Sequence, residues 1–222
     1  MIMVLIIDTE TTGVVEPEPI EIAWAMINDI ETLAGVKKFE ARYKPTKAIS
    51  LGAMSTHHIM DEDLVDCDPS GSFSLPEGAA YLIGHNVDFD WKVIGSPEVK
   101  RICTLALSRD LYPGIDSHTL AAMFYHLERD SARFRLENAH SAFTDVMLCR
   151  DILKHIVKLL GVTTWDELWL ASESARIPSV MPFGKHKGIA IKDIPADYKQ
   201  WLLKQPDVDP YLASALRGGK EG

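Results

Sequence analysis

Residues 2–13 read IMVLIIDTETTG, an unbroken apolar run that ends in two acids and a glycine-terminated turn. Residues 2–7 have strand length and no polar alternation, the pattern of a strand covered on both faces. Asp8 and Glu10 follow two residues apart, so on extended backbone their side chains point to one side. Two carboxylates held together at the end of a buried strand repel each other unless a cation lies between them, and hard oxygen ligands suit magnesium or manganese. Gly13 lets the loop turn tightly, so that the backbone of Thr11 and Thr12 can approach a phosphate. Taken alone, the same residues describe a loop of solvated acids equally well.

Outward from this stretch, residues 20–27 and 36–43 read as two further strands with Gly35 breaking between them. Residues 51–64 look helical, with a weak break at His57 and His58. Residues 66–78 are a loop rich in Asp, Pro, Ser and Gly, and residues 81–84 a short strand. A helix over 88–94 is stopped by Gly95 and Pro97, and residues 99–103 read as the last strand of this sheet. Helices are expected over 104–111, 119–128 and 142–160, with Gly161 stopping the last. Strands come early and helices late, which predicts an α/β fold with a mixed sheet flanked by helices. After another short helix over 164–175, the segment MPFGKHKGIAIKDI (181–194) opens a second unit, with Gly184 and Gly188 as turn glycines and a helix over 195–205. The expected division is a main domain over 1–160, a linker with a helix over 161–178, and a small basic C-terminal module over 179–222.

The chain has 222 residues, 46% of them hydrophobic, enough for one domain with a substantial core plus a small module. Cys67, Cys103 and Cys149 are odd in number and form no CxxC pair, which argues against a disulfide framework or a thiolate zinc site. The apolar start lacks a basic leader and a small-residue cleavage site, so it reads as a strand rather than a signal peptide. No run reaches the roughly 18 apolar residues of a membrane span. A cytoplasmic protein without a membrane partner is the expectation. The net charge of −9 is unevenly spread: from Arg176 onward eight basic residues outweigh five acidic ones, leaving −12 on residues 1–175. An acidic body can still act on phosphates where its carboxylates hold divalent cations that present the positive charge.

Two more clusters carry candidate chemistry. In HNVDFD (85–90), Asn86 and Asp90 are four apart and share a helical face. Asp88 reads as a helix-initiating acid and His85 as a hydrogen-bonded structural histidine. In HSAFTDV (140–146), His140 and Asp145 are five apart. On one regular helix at about 100° per residue they would stand about 140° apart. They converge only if His140 precedes the helix, with Ser141 near its N-cap.

Taken in order, DTETTG (8–13), HNVDFD (85–90) and HSAFTD (140–145) resemble the motifs of the DEDDh exonucleases, the family of the polymerase proofreading subunits. The resemblance covers roughly residues 1–160. The tail, FGKHKG (183–188) followed by Tyr198, Trp201 and Leu202, is similar to the C-terminal segment of bacterial exonuclease X-like enzymes. The resemblance implies a ribonuclease-H-like fold: a five-stranded mixed sheet with three antiparallel strands, helices on both sides, and the acids above the central strands. It implies a 3′→5′ exonuclease in which Asp8, Glu10, Asp90 and Asp145 hold two magnesium ions, for which manganese can substitute. His140 would act as general base. Thr11, Thr12, Gly13, His57 and Asn86 would face the substrate. In STHHIMDEDL (55–64), His57 matches the family's histidine, while His58 stands where a glycine is frequent. Val14 and Val15 would either wedge against the terminal base pair or join the core.

The partner implied is DNA, at single-stranded and duplex 3′ ends, in repair or 3′-end trimming. An exoribonuclease is the alternative, since the same acids serve either sugar and RNA would fit the same cleft. A non-catalytic nucleic-acid interaction module would be expected to have lost an acid or the histidine, and all five are present. A proofreading subunit would carry a long flexible polymerase-binding tail, whereas this tail reads as folded. A homodimer is compatible with the sequence, which holds no argument for it. In the tail, Lys185, His186 and Lys187 read as phosphate contacts or solvating charges, and Phe183, Tyr198 and Trp201 as packing.

Overall fold

The opening run forms β1, Met3–Thr11, and the rest of the sheet is laid down around it. The computed structural model describes residues 2–137 and 140–218. β2 (Pro19–Ile27) pairs antiparallel with β1, and β3 (Gly35–Lys44) antiparallel with β2. On the other edge of β1, β5 (Ala79–Gly84) runs parallel to it, followed by β6 (Lys100–Cys103). Residues Asp68–Pro69 form β4, a two-residue edge parallel to β3. Among the described residues the order is therefore β4-β3-β2-β1-β5-β6. The mixed sheet expected from sequence, with its three antiparallel strands, is present, extended by the short edge.

β1 and β2 are nearly continuously buried because helices cover the sheet on both faces. Leu5 and Ile7 join Ile22, Trp24 and Leu82 in one core cluster together with Val87, which lies on helix α2 (Val87–Val93). Helix α6 (Ala142–Leu160) packs on β1 and β2, and α3 (Thr104–Leu111) and α4 (Leu120–Leu127) pack on α6. Strand alternation puts Asp8 and Glu10 on the side opposite Leu5 and Ile7, at the carboxyl end of the central strand.

Three local departures from the sequence reading have simple causes. Helix α1 (Leu51–His57), capped by the Ser50 hydroxyl, does not run on to residue 64. His58 turns left-handed at φ +58°, its amide closing on Met54 O, and a separate 3-10 turn occupies Asp61–Leu64. Helix α5 (Arg129–Arg135) was not foreseen, since RDSARFR has no apolar period. Helices α7 (Trp165–Arg176) and α8 (Ala196–Leu202) follow, and then α9 (Pro210–Leu216), also unforeseen. It starts on a signal that the sequence does carry: Pro210 opens it, and the Asp209 carboxylate accepts from the amides of Tyr211 and Leu212.

The chain divides into two units, Met1–Trp169 and Leu170–Gly222. The second has its own core of Met181, Ile191, Ile194, Leu202, Leu212 and Leu216. No helix among the described residues is long and apolar enough to cross a membrane.

Candidate active site

The end of β1 delivers the first two acids. Asp8 is half-buried and Glu10 buried. α2 brings Asp90, fully enclosed, whose Oδ1 accepts a 2.7 Å hydrogen bond from the Thr9 hydroxyl. The first turn of α6 brings Asp145, also buried, whose Oδ1 accepts from the His140 amide at 3.3 Å. His140 lies just before the helix in the left-handed region, at φ +69°, and its side chain is exposed. This is the placement that lets a residue five positions from Asp145 share its cleft. One ligand atom from each of Glu10, His140 and Asp145 lies within 4.8 Å of the others.

The electrostatics report the same convergence. Burial foremost, then the charges of Asp90, Asp145, Glu10 and Glu21, hold the Asp8 carboxyl well above the usual carboxylate range. Burial, then Asp145, Glu21 and Asp90, push Glu10 up to about 8. Asp90 is pushed up to about 7, chiefly by burial, against the opposing hydrogen bond from Thr9. Burial also raises Asp145, against the pull of the His140 amide and ring. Four hard-oxygen donors crowded until they favour protons form a set that a divalent cation would satisfy.

A fifth acid belongs to this neighbourhood and was missed from sequence. Glu21 on β2 stands directly opposite Glu10 and directly opposite Arg42 of β3. Like charges opposite one another on a sheet face destabilise it. Here Arg42 Nε donates to Glu21 Oε1 at 3.0 Å, while Glu21 Oε2 accepts from the Ala142 amide at 3.0 Å. Ser141 occupies the N-cap position of α6 as expected, but its side chain makes no capping bond; the Glu21 carboxylate takes that part from another strand. The signal available was a lone acid inside the apolar run PIEIAWAMI, a strand covered on both faces.

Beside the acids lies a cavity of about 270 Å³ lined by Glu10, Thr11, Gly13, Val14, Ser50 and His57, among others. Gly13 has φ +148°, and a Cβ there would meet the Ser50 hydroxyl at 2.9 Å, so this turn needs glycine. Both threonine hydroxyls are committed to the loop: Thr11 Oγ1 donates to Gly13 O at 3.0 Å, and Thr12 Oγ1 accepts from the Glu18 amide at 3.2 Å. His57 is buried, with Nδ1 accepting from the Ile59 amide at 3.0 Å and Nε2 lying 3.2 Å from Thr11 O. Burial first of all lowers its pKa. Its ring therefore braces the cavity wall. Asn86 is exposed at the N-terminus of α2, left-handed at φ +80°, with no side-chain cap.

Val14 and Val15 do not join the core: they are 84% and 76% exposed at the tip of the loop. Lys47 Nζ holds that tip through the carbonyls of Val15, at 3.0 Å, and Glu16. His85 is structural, one ring nitrogen 2.8 Å from His118 O and the other 3.0 Å from the Thr104 hydroxyl, and burial lowers its pKa to about 4. Asp88 pairs with Arg101, whose guanidinium lies over the Trp91 ring.

The comparisons with known proteins agree with this geometry. A family model described as Exonuclease matches residues 5–153, and one described as a quorum-sensing-regulated virulence factor matches residues 174–207. Exodeoxyribonuclease 10 of Escherichia coli (strain K12) is 29% identical over 224 residues, 97% of each chain. Among solved structures, exonuclease X in complex with 5′ overhanging duplex DNA superposes with TM-score 0.62 at 27% identity, covering 77% of this chain and 99% of that one. The zinc-bound complex of E. coli exonuclease I with single-stranded DNA shares the fold, with TM-score 0.56 at 20% identity over 71% of this chain and 40% of that one. The Exonuclease model spans all four acids and His140, and it covers about two thirds of the sequence. The chain belongs to the exonuclease family, which bears out the resemblance to DEDDh 3′→5′ exonucleases read from its motifs.

Proposed function

We propose that this protein removes nucleotides from the 3′ end of DNA by hydrolysing the terminal phosphodiester, releasing nucleoside 5′-monophosphates. The observation that carries the reading is the convergence of Asp8, Glu10, Asp90 and Asp145 at the end of β1, with His140 at their edge. Relatives named for DNA support that substrate over RNA.

The four carboxylates fit magnesium, with manganese as a substitute, and two ions match the number of donors. Asp8, whose carboxyl feels the charges of Asp90, Asp145 and Glu10, would hold the cations together with those three acids. What the cations supply when bound is a lowered pKa for the attacking water and neutral surroundings for the charge on the leaving 3′-oxygen. His140, exposed beside Glu10 and Asp145, takes the proton of that water as general base. The hydrogen bond that its backbone amide donates to the Asp145 carboxylate and its left-handed backbone fix where the ring starts from. Thr11 and Gly13 line the cavity that would take the last nucleotide, and Thr12 holds the turn behind them, its amide donating to Glu18 O and its carbonyl accepting from the Ser50 amide. His57 holds the cavity wall, and Asn86 faces the strand from the end of α2. The exposed pair Val14 and Val15, on a loop braced by Lys47, would press on the terminal base pair of a duplex end. Trimming of 3′ ends in DNA repair accords with such an activity.

Matched DNA and RNA oligonucleotides, with the products separated by chromatography, test the substrate. Deoxynucleoside 5′-monophosphates released faster than their ribose counterparts are expected; faster release from RNA would reassign the substrate.

A further inference from the structure

The C-terminal unit carries an arrangement that its own packing does not require. Its core is closed by aliphatic side chains, yet Phe183 and Trp201 remain 48% and 54% exposed. The sequence reading had both as packing residues; only Tyr198 of the three lies partly inward. The Tyr198 ring centroid is 5.4 Å from that of Trp201, and His186 stands edge-on to Tyr198 at 4.6 Å. Lys185 Nζ lies 5.0 Å from the centre of the same ring. Gly184, left-handed at φ +72°, brings the loop so near that a Cβ would stand 3.2 Å from the Tyr198 hydroxyl. The loop from Phe183 to Lys187 and the Tyr198–Trp201 face of α8 thus form one patch.

Its charge is positive. Between residues 183 and 204 the chain has lysines at 185, 187, 192, 199 and 204 against aspartates at 193 and 197 only, while residues 1–175 carry −12. Open aromatic rings among lysines match a ligand with flat apolar faces and an anionic backbone. Bases in a duplex are already stacked on each other, so free ring faces select unpaired ones.

We infer that the C-terminal unit is a second binding surface for single-stranded nucleic acid, where Phe183 and Trp201 stack on bases and Lys185, Lys187 and Lys204 meet phosphates. This rests on the reading of the protein as a nuclease and adds a contact that the catalytic cleft does not supply.

The test uses the full chain as Phe183→Ala/Trp201→Ala and, separately, as Lys185→Gln/Lys187→Gln. Anisotropy of a fluorescein-labelled oligothymidylate of about 20 nucleotides is read in chelator over a salt series, so that no hydrolysis intervenes. Turnover of a trinucleotide is followed in parallel. Loss of the rings weakens oligothymidylate binding at least about fivefold per ring removed. Loss of the two lysines lowers the slope of log affinity against log salt by about 1.4. Trinucleotide turnover stays at the wild-type level in both. Unchanged affinity in both variants overturns the inference and leaves the patch to a protein partner; a parallel fall in trinucleotide turnover overturns it as a separate surface. Binding without any turnover by the wild type contradicts the nuclease reading instead, because affinity is measured apart from hydrolysis.

Discussion

The Glu21 carboxylate accepts a hydrogen bond from the Ala142 amide at 3.0 Å, across 121 residues of sequence. That bond ties the start of β2 to the first turn of α6, and the residues either side of Ala142 include His140 and Asp145. Glu21→Ala strands a buried amide, at a cost of about 1–3 kcal/mol. The expected outcome is a lower denaturation midpoint together with a reduced kcat and little change in KM, because the general base and one acid lose their reference. Glu21→Gln keeps an acceptor for the amide and should recover part of the kcat. Equal kcat in all three proteins would show that α6 holds its start without Glu21.

His140→Ala should lower the rate by about 10²–10⁴-fold, the usual worth of a positioned general base. Magnesium affinity, read by calorimetry, should stay near that of the wild type, since four carboxylates remain. A variant with near-normal turnover would remove His140 from the proton transfer.

Raised carboxyl groups give the metal-free protein a definite pH response. Glu10 goes from an ordinary 4.5 to about 8 and Asp90 from 3.8 to about 7 on folding. A raised acid favours the folded state when protonated, so its contribution is complete below the unfolded value and is lost as pH rises through the folded one. In chelator the melting temperature should therefore fall between about pH 4 and pH 8, and saturating magnesium should flatten the fall. Identical profiles with and without magnesium would contradict a cation at these acids.

His85 gives the opposite slope. Its pKa falls from 6.5 to about 4 on folding, so the unfolded chain binds its proton first. Stability is retained above the unfolded value and lost as pH drops from about 6.5 toward 4, by about 3 kcal/mol. The loss between those two pH values should shrink by that amount in His85→Gln, whatever the absolute stability of the variant. An unchanged loss would place the acid sensitivity elsewhere.

What the sequence made legible follows from what is local. The apolar run before Asp8, the DxE spacing and the helix over 142–160 each depend on neighbours within a few residues, and each is where it was expected. The placement of His140 was legible too, because helical geometry left it one way to reach Asp145. The part of Glu21 was not, since its partners Arg42 and Ala142 come from a strand pairing and a helix docking that no local pattern encodes. Val14 and Val15 were ambiguous for the same reason: apolar composition says core, and only the turn at Gly13 puts them in water. The edge strand β4 rests on two ladder pairs and has no composition of its own.

The central claim is that Asp8, Glu10, Asp90 and Asp145 with His140 hydrolyse 3′ ends. The direct measurement incubates a 5′-labelled single-stranded DNA oligonucleotide and its RNA counterpart with wild type and Asp145→Asn, with magnesium and with chelator. The account predicts a magnesium-dependent ladder that shortens from the 3′ end of the DNA and is absent with Asp145→Asn. No ladder on either oligonucleotide, or an equally active Asp145→Asn, would contradict it.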